Sequence, residues 1–184
     1  MNPLPRYDGP AISLHWLVAV LIFGGFGLGW YMVDLPVSPD KLRYYAWHKW
    51  IGVTVFGLAL LRGLWRLTHS PPPLPAGTPA WQRRAAYATH ALLYGLMLAI
   101  PISGWLFSSA SGFPTVYLGW VQLPDLVARD RELAAWLKSV HLYLNYTLAA
   151  LVAVHIAASL KHQFVDHDGL LARMLPFLPA RSPE

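Results

Sequence analysis

Long uncharged runs alternate with short charged segments along this 184-residue chain. The first run, Gly9 to Val33, holds 25 residues without a charge. A hydrocarbon core of about 30 Å needs roughly 20 apolar residues at 1.5 Å each. The pattern predicts four spanning helices, at approximately residues 12–33, 47–68, 85–107 and 136–164. The second has only 12 uncharged residues, Trp50 to Leu61, so it must also take in His48, Lys49, Arg62 and Arg66. Long cationic side chains near helix ends can reach the headgroups, which makes that tolerable.

The third run, Ala85 to Pro124, is 40 residues long and exceeds one span. Ser108-Ser109-Ala110-Ser111-Gly112 and Pro114 should break it, leaving a loop behind. Asp125 to Leu137 is expected to add a short amphipathic helix on the membrane surface. The fourth run, Ser139 to Leu160, has 22 residues. Trp30, Tyr31, Trp47, Trp65 and Trp136 fall near proposed ends, as interfacial belts require.

Composition agrees with this pattern. The chain is 55% hydrophobic and only 12% charged, with a mean hydropathy of +0.39. A water-solvated domain carries about twice that charged fraction. No cysteine is present, which excludes a disulfide scaffold, c-type haem attachment and Cys-ligated metal. The net charge of +5 is scattered around the apolar runs, which suits lipid headgroups and not nucleic acid. The first run is too long for a cleavable signal and lacks a small-residue cleavage site, so it is read as a span. Residues 1–184 are read as one membrane domain.

With the N-terminus inside, the inner segments hold eight Lys and Arg and the outer loops six. The Arg62 to Arg84 connection carries four Arg and no acid, so both termini are expected on the cytoplasmic side.

Eight histidines are present, and several lie within the spans, where ionisable groups are costly and mark function by default. His141 and His155 are 14 residues apart on the fourth helix. At about 100° per residue they share one face, about 21 Å apart along the axis. One metal ion cannot bridge that distance, but two sites at two depths can. His48, near the outer start of the second helix, lies level with His141. His15, near the inner start of the first, lies level with His155. Two transverse histidine pairs in a four-helix bundle match two bis-imidazole b-type haems stacked across the membrane. Neutral imidazoles fill both axial positions without adding charge to the hydrocarbon, which favours electron transfer over small-ligand binding.

Other residues leave alternatives open. His90 also reaches the inner layer and competes with His15 there. Gly24, Gly25, Gly27, Gly29, Gly52 and Gly57 would let a macrocycle approach the backbone, but ordinary small-residue helix packing explains them nearly as well. His162, seven residues after His155, is either a quinone contact or proton acceptor, or a headgroup-level histidine. His69 and His167 are expected in solvated segments. Arg62 and Arg66 either snorkel or hold haem propionates.

Over nearly its whole length the chain resembles the bacterial cytochrome b561 family. The resemblance is carried by Ser13-Leu14-His15-Trp16, His48 with Gly52, Arg62 and Arg66, and His90 with Leu93-Tyr94. It continues through Pro101-Ile102-Ser103-Gly104, His141, His155, Leu160-Lys161-His162 and Asp168-Gly169-Leu170-Leu171-Ala172-Arg173-Met174-Leu175-Pro176. It implies an all-α protein of the bacterial inner membrane, with four transmembrane helices and two haems b, exchanging electrons with the quinone pool. By position, His15 and His155 would bind the cytoplasmic-side haem iron, and His48 and His141 the periplasmic-side one. The 14-residue spacing also resembles the cytochrome b subunits of membrane formate dehydrogenases and hydrogenases, a pattern that favours His15 over His90. The family includes superoxide oxidases, in which superoxide gives up an electron outside and ubiquinone takes it up. His162 matches the position near the quinone, and Gln163 stands where many relatives have a second histidine.

For an anionic donor, Lys41, Arg43, Lys49, Arg129, Arg131 and Lys138 would steer approach, although five outer acids leave a net outer charge of only +1. The leading expectation is therefore an oxidoreductase of the superoxide oxidase type. The alternative is a non-enzymatic electron-relay subunit for a partner dehydrogenase or periplasmic protein. A histidine-lined metal transporter is disfavoured, because the spans contain no Asp or Glu.

Overall fold

The computed structural model describes residues 5–75, 77–175 and 177–178. Four helices, α1 (Gly9–Val33), α2 (Pro39–Thr68), α3 (Ala80–Ala110) and α4 (Arg131–Phe164), run up and down through the molecule. All four are long and apolar enough to cross a membrane. A short hairpin, β1 (Val116–Tyr117) and β2 (Val121–Gln122), joins α3 to α4, and a 3-10 turn at Leu171–Arg173 follows α4.

Capping residues explain where α1, α2 and α4 start, and why they start earlier than the charge gaps suggest. Asp8 accepts from Ala11 N (2.8 Å) ahead of α1, with Pro10 in the first turn. Ser38 accepts from Lys41 N (3.2 Å) and Pro39 opens α2, two turns before the expected start near residue 47. Asp130 accepts from Glu132 N and Leu133 N (2.9 and 3.0 Å), so α4 begins at Arg131. The separate surface helix expected over Asp125–Leu137 does not form. Residues 125–130 are irregular, and 131–137 are the first two turns of α4.

Serine hydroxyls do not stop α3 where expected. Ser109 donates back to Trp105 O (3.1 Å) and Ser108 to Phe113 O, which carries the helix to Ala110. The connection beyond it folds over the ends of α2 and α3. Trp50 Nε1 donates to Val116 O (2.7 Å), Lys49 Nζ to Phe113 O (3.0 Å), and Trp105 Nε1 to Pro124 O (3.0 Å).

At the other end of the bundle, the termini end, the start of α1 meets the segment that follows α4. Trp16 Nε1 donates to Met174 O (2.8 Å), and the buried Arg173 donates to Pro73 O (2.5 Å) in the α2–α3 connection. The tail thus ties the start of α1 to that connection.

Neighbouring helices pack in chain order. Among the described residues, α4 approaches α3 and the 3-10 turn, and none of its Cα atoms comes within 8 Å of α1 or α2. The apolar core is correspondingly small. One cluster, Val18, Ala59 and Met97, joins α1, α2 and α3; another, Ala110, Ala134 and Leu137, joins α3 to α4 near the hairpin. Large apolar side chains instead cover the outside, as lipid contact requires, and Trp30 and Trp136 ring the hairpin end.

Candidate functional site

Although α4 keeps its backbone away from α1 and α2, its histidines meet theirs. At the termini end, the ring centres of His15 and His155 are 6.3 Å apart with planes at 63°. At the hairpin end, His48 and His141 are also 6.3 Å apart, at 83°. Each of these four side chains is half-buried.

The distances can be tested against a metal centre. An imidazole nitrogen binds a first-row metal ion at about 2 Å, and the ring centre lies about 1 Å behind it. Two imidazoles on opposite sides of one iron therefore have centres about 6 Å apart, which both pairs meet. His90 lies closer to His155, at 5.5 Å, in an edge-on contact shorter than that arrangement requires.

Hydrogen bonds assign the tautomer at one ring. The buried Ser103 hydroxyl donates to Ile100 O (2.7 Å), so its oxygen is left to accept from His141 Nδ1–H (2.9 Å). Ile100 O also lies 3.2 Å from that nitrogen. With Nδ1 protonated, Nε2 carries the lone pair that a metal needs, and metal-ligating histidines are commonly oriented in this way. His15 Nδ1 and His48 Nδ1 are buried without a hydrogen-bond partner, although the Gly25 backbone lies beside His48.

Two glycines make room for these rings. A Cβ at Gly104 would stand 3.0 Å from His141 Cε1, and one at Gly29 would stand 3.1 Å from His48 Cε1. Gly29 was among the glycines singled out from sequence. Ser103 and Gly104 had been noticed only as part of a motif, and their position on α3 at the depth of His141 is the signal that marks their role.

Around the termini-end pair the surroundings are cationic. Arg62 lies over the Tyr94 ring at 5.3 Å and within electrostatic reach of His15, His90 and His155. Arg66, Tyr87, His90 and Tyr94 line a cavity of about 380 Å³. Arg62 is therefore near enough to serve acidic groups of a cofactor held by the inner pair, and Arg66 lies beside it at His90.

His162 sits at the end of α4, with Nδ1 2.6 Å from Asp168 Oδ2 and 3.0 Å from Asp166 Oδ2. Lys161 holds Asp166 through bonds of 2.6 and 2.8 Å, and this hydrogen-bonded pairing keeps the Asp166 carboxyl below the usual carboxylate range. The ligand atoms of His162, Asp166 and Asp168 lie within 4.8 Å of one another, but the Lys161 ammonium already neutralises Asp166. Gln163 Oε1 is buried and unpartnered. His69 stacks on Trp65 (3.9 Å, 5°) and is exposed, as is His167.

Three of the six outer cations are engaged. Lys41 donates to Val33 O and Leu35 O at the end of α1 (3.1 and 2.6 Å), Lys49 to Phe113 O and Pro114 O, and Arg43 pairs with Asp40 (2.9 Å).

Comparison with known proteins adds the relatives of the chain. The family model described as "Prokaryotic cytochrome b561" matches residues 6–177. The chain is 37% identical over 182 residues to "Cytochrome b561 homolog 2" of Escherichia coli (strain K12), covering 95% of this chain and 93% of that protein. It is 29% identical over 175 residues to "Cytochrome b561 homolog 1" of the same strain, covering 93% and 97%. It is 27% identical over 175 residues to "Probable superoxide oxidase CybB" of Yersinia pestis, covering 93% and 96%.

Proposed function

The chain belongs to the prokaryotic cytochrome b561 family and is a multi-pass membrane cytochrome of electron transfer, and from that premise we propose that it carries electrons between two haems b and the quinone pool. His15 and His155 hold the inner haem, and His48 and His141 the outer one. The observation that carries this reading is the pair of equal 6.3 Å ring separations, both using one face of α4. His15 is preferred to His90 for the same reason, since the His90–His155 separation is shorter.

Bound by these histidines, haem b would supply a one-electron redox centre. The protein's own residues do the rest. Ser103 and Ile100 fix the His141 ring, Gly104 and Gly29 give the outer rings clearance, and Arg62 and Arg66 answer the charge of the inner propionates. The arginine-rich α2–α3 connection, on the side that carries both termini, supports a cytoplasmic position for that end.

The donor is an electron-rich small anion, with superoxide the favoured case, supported by the relative named as a probable superoxide oxidase. Two superoxide ions each lose one electron and leave as dioxygen; the two electrons and two protons convert ubiquinone to ubiquinol. Among the outer cations, Arg129, Arg131 and Lys138 are better placed than Lys41, Arg43 and Lys49 to steer the anion, because the latter three already hold carbonyls or Asp40. On the opposite side, His162 contacts the quinone.

Stopped-flow mixing of the purified protein with superoxide, with and without ubiquinone, tests the reading. Rapid haem reduction that is discharged by quinone is expected. Haems that superoxide does not reduce would instead point to a relay subunit fed by a partner dehydrogenase or periplasmic protein.

A further inference from the structure

Beyond the end of α4, the backbone turns back sharply to bring one carboxylate against His162. His167 adopts φ +51° and Gly169 φ +71°. The first lies in a region that costs energy for a residue with a side chain, and the second in one that glycine occupies freely. Asp168 N bonds His162 O (3.3 Å), Asp168 Oδ1 accepts from Leu170 N (3.0 Å), and Asp168 Oδ2 meets His162 Nδ1 at 2.6 Å. Asp168 and His162 are both half-buried. Backbone strain kept at such a place commonly accompanies function.

Resting on the reading of His162 as the quinone contact, we propose that Asp168 is its positioning residue. By accepting from Nδ1–H, Asp168 holds the ring so that Nε2 is the atom that exchanges protons with the quinone. Quinone reduction takes up two electrons and two protons. In each protonation the Nε2–H bond of the imidazolium breaks as an O–H bond forms on the reduced quinone oxygen. The N–H electron pair stays on nitrogen, and Nδ1–H stays with Asp168. Water at the cytoplasmic face then returns a proton to Nε2, and the cycle repeats for the second proton.

The neighbouring charges leave this role to Asp168. Asp166 also lies 3.0 Å from Nδ1, but two bonds from Lys161 hold it. His167 is exposed. From the 3-10 turn, which packs on α4, the charged side chain is Arg173, and its guanidinium donates to Pro73 O.

Haem-loaded protein, chemically reduced and mixed with the short-chain quinone ubiquinone-1, provides the kinetic test. Both H162Q and D168N are expected to keep the haem spectrum and slow haem re-oxidation by about tenfold or more at neutral pH. D168E should restore most of the rate, as loss of mere tail packing would not allow. Wild-type rates in D168N beside a slow H162Q would overturn the role of Asp168 and leave the quinone reading standing. Wild-type rates in H162Q would remove both. A second measurement needs no substitution at position 168. In ¹⁵N-histidine-labelled wild-type protein, with the His162 signals identified by their loss in H162Q, the neutral ring should be the Nδ1–H tautomer. An Nε2–H tautomer would overturn the proposal whatever the rates.

Discussion

At the hairpin end, His141 is bonded to Ser103 and Ile100, glycines stand beside both rings, and the connection from α3 to α4 is tied down over the end of α2. At the termini end, three imidazoles gather with Arg62 and Arg66 beside a cavity, and the charged cluster around His162 lies beyond. The first layer is held by neutral hydrogen bonds and close packing, which suits a permanent ligand whose orientation must not vary. The second is rich in groups that carry charge or move protons, which suits a site where electrons leave together with protons. One helix, α4, serves both layers, so the difference comes from what α1, α2, α3 and the tail bring to it.

Removing a ligand should break the comparison most completely. H48A or H141A is expected to lose the outer haem and keep the inner one, halving the haem-to-protein ratio in a pyridine haemochrome assay. Loss of both haems would show that the layers are not independent. Next in size is G104A, whose new methyl would stand 3.0 Å from His141 Cε1 while Ser103 already bonds the ring through Nδ1. It should lower outer-haem occupancy or shift the outer midpoint potential while the inner potential stays put, as read by redox titration.

Smaller again is S103A. Ile100 O remains within 3.2 Å of Nδ1, so the ring keeps one acceptor, and a loss of about tenfold in outer-haem affinity is expected from the lost oriented partner. The least effect belongs to D166N, outside either layer. The Asp166 carboxyl is held below its ordinary range by Lys161, so its contribution to stability is present above the ordinary carboxylate pKa and disappears as pH falls through the lowered value. Exposure to solvent keeps that contribution small. A slight drop in thermal midpoint at neutral pH, vanishing in acid, is the expected scan.

Much of this architecture is legible in the residue pattern. Spans follow from charge gaps because each charge is costly in hydrocarbon, and histidine depth follows from helical rise. The gaps measure only the apolar stretch, however. Polar turns extend beyond it wherever a cap such as Ser38-Pro39 or Asp130 can start a helix, which is why residues 131–137 belong to α4 and not to a separate surface helix. The hairpin was illegible because each strand has two residues, too few for any alternation to register. Asp168 was overlooked as a partner of His162 because their contact depends on backbone conformations at His167 and Gly169, which no periodicity encodes. Ser103 escaped for a related reason. A serine facing lipid and a serine facing an imidazole read alike until α3 and α4 are packed together.

The account rests on two irons per chain, each between a pair of imidazoles. Quantifying haem b against protein in the purified chain, with the low-spin spectrum recorded on the same sample, addresses this directly. About two haems per chain, both low-spin with two imidazole ligands, is the predicted result. A single haem, or a fraction with an open axial position, would contradict it.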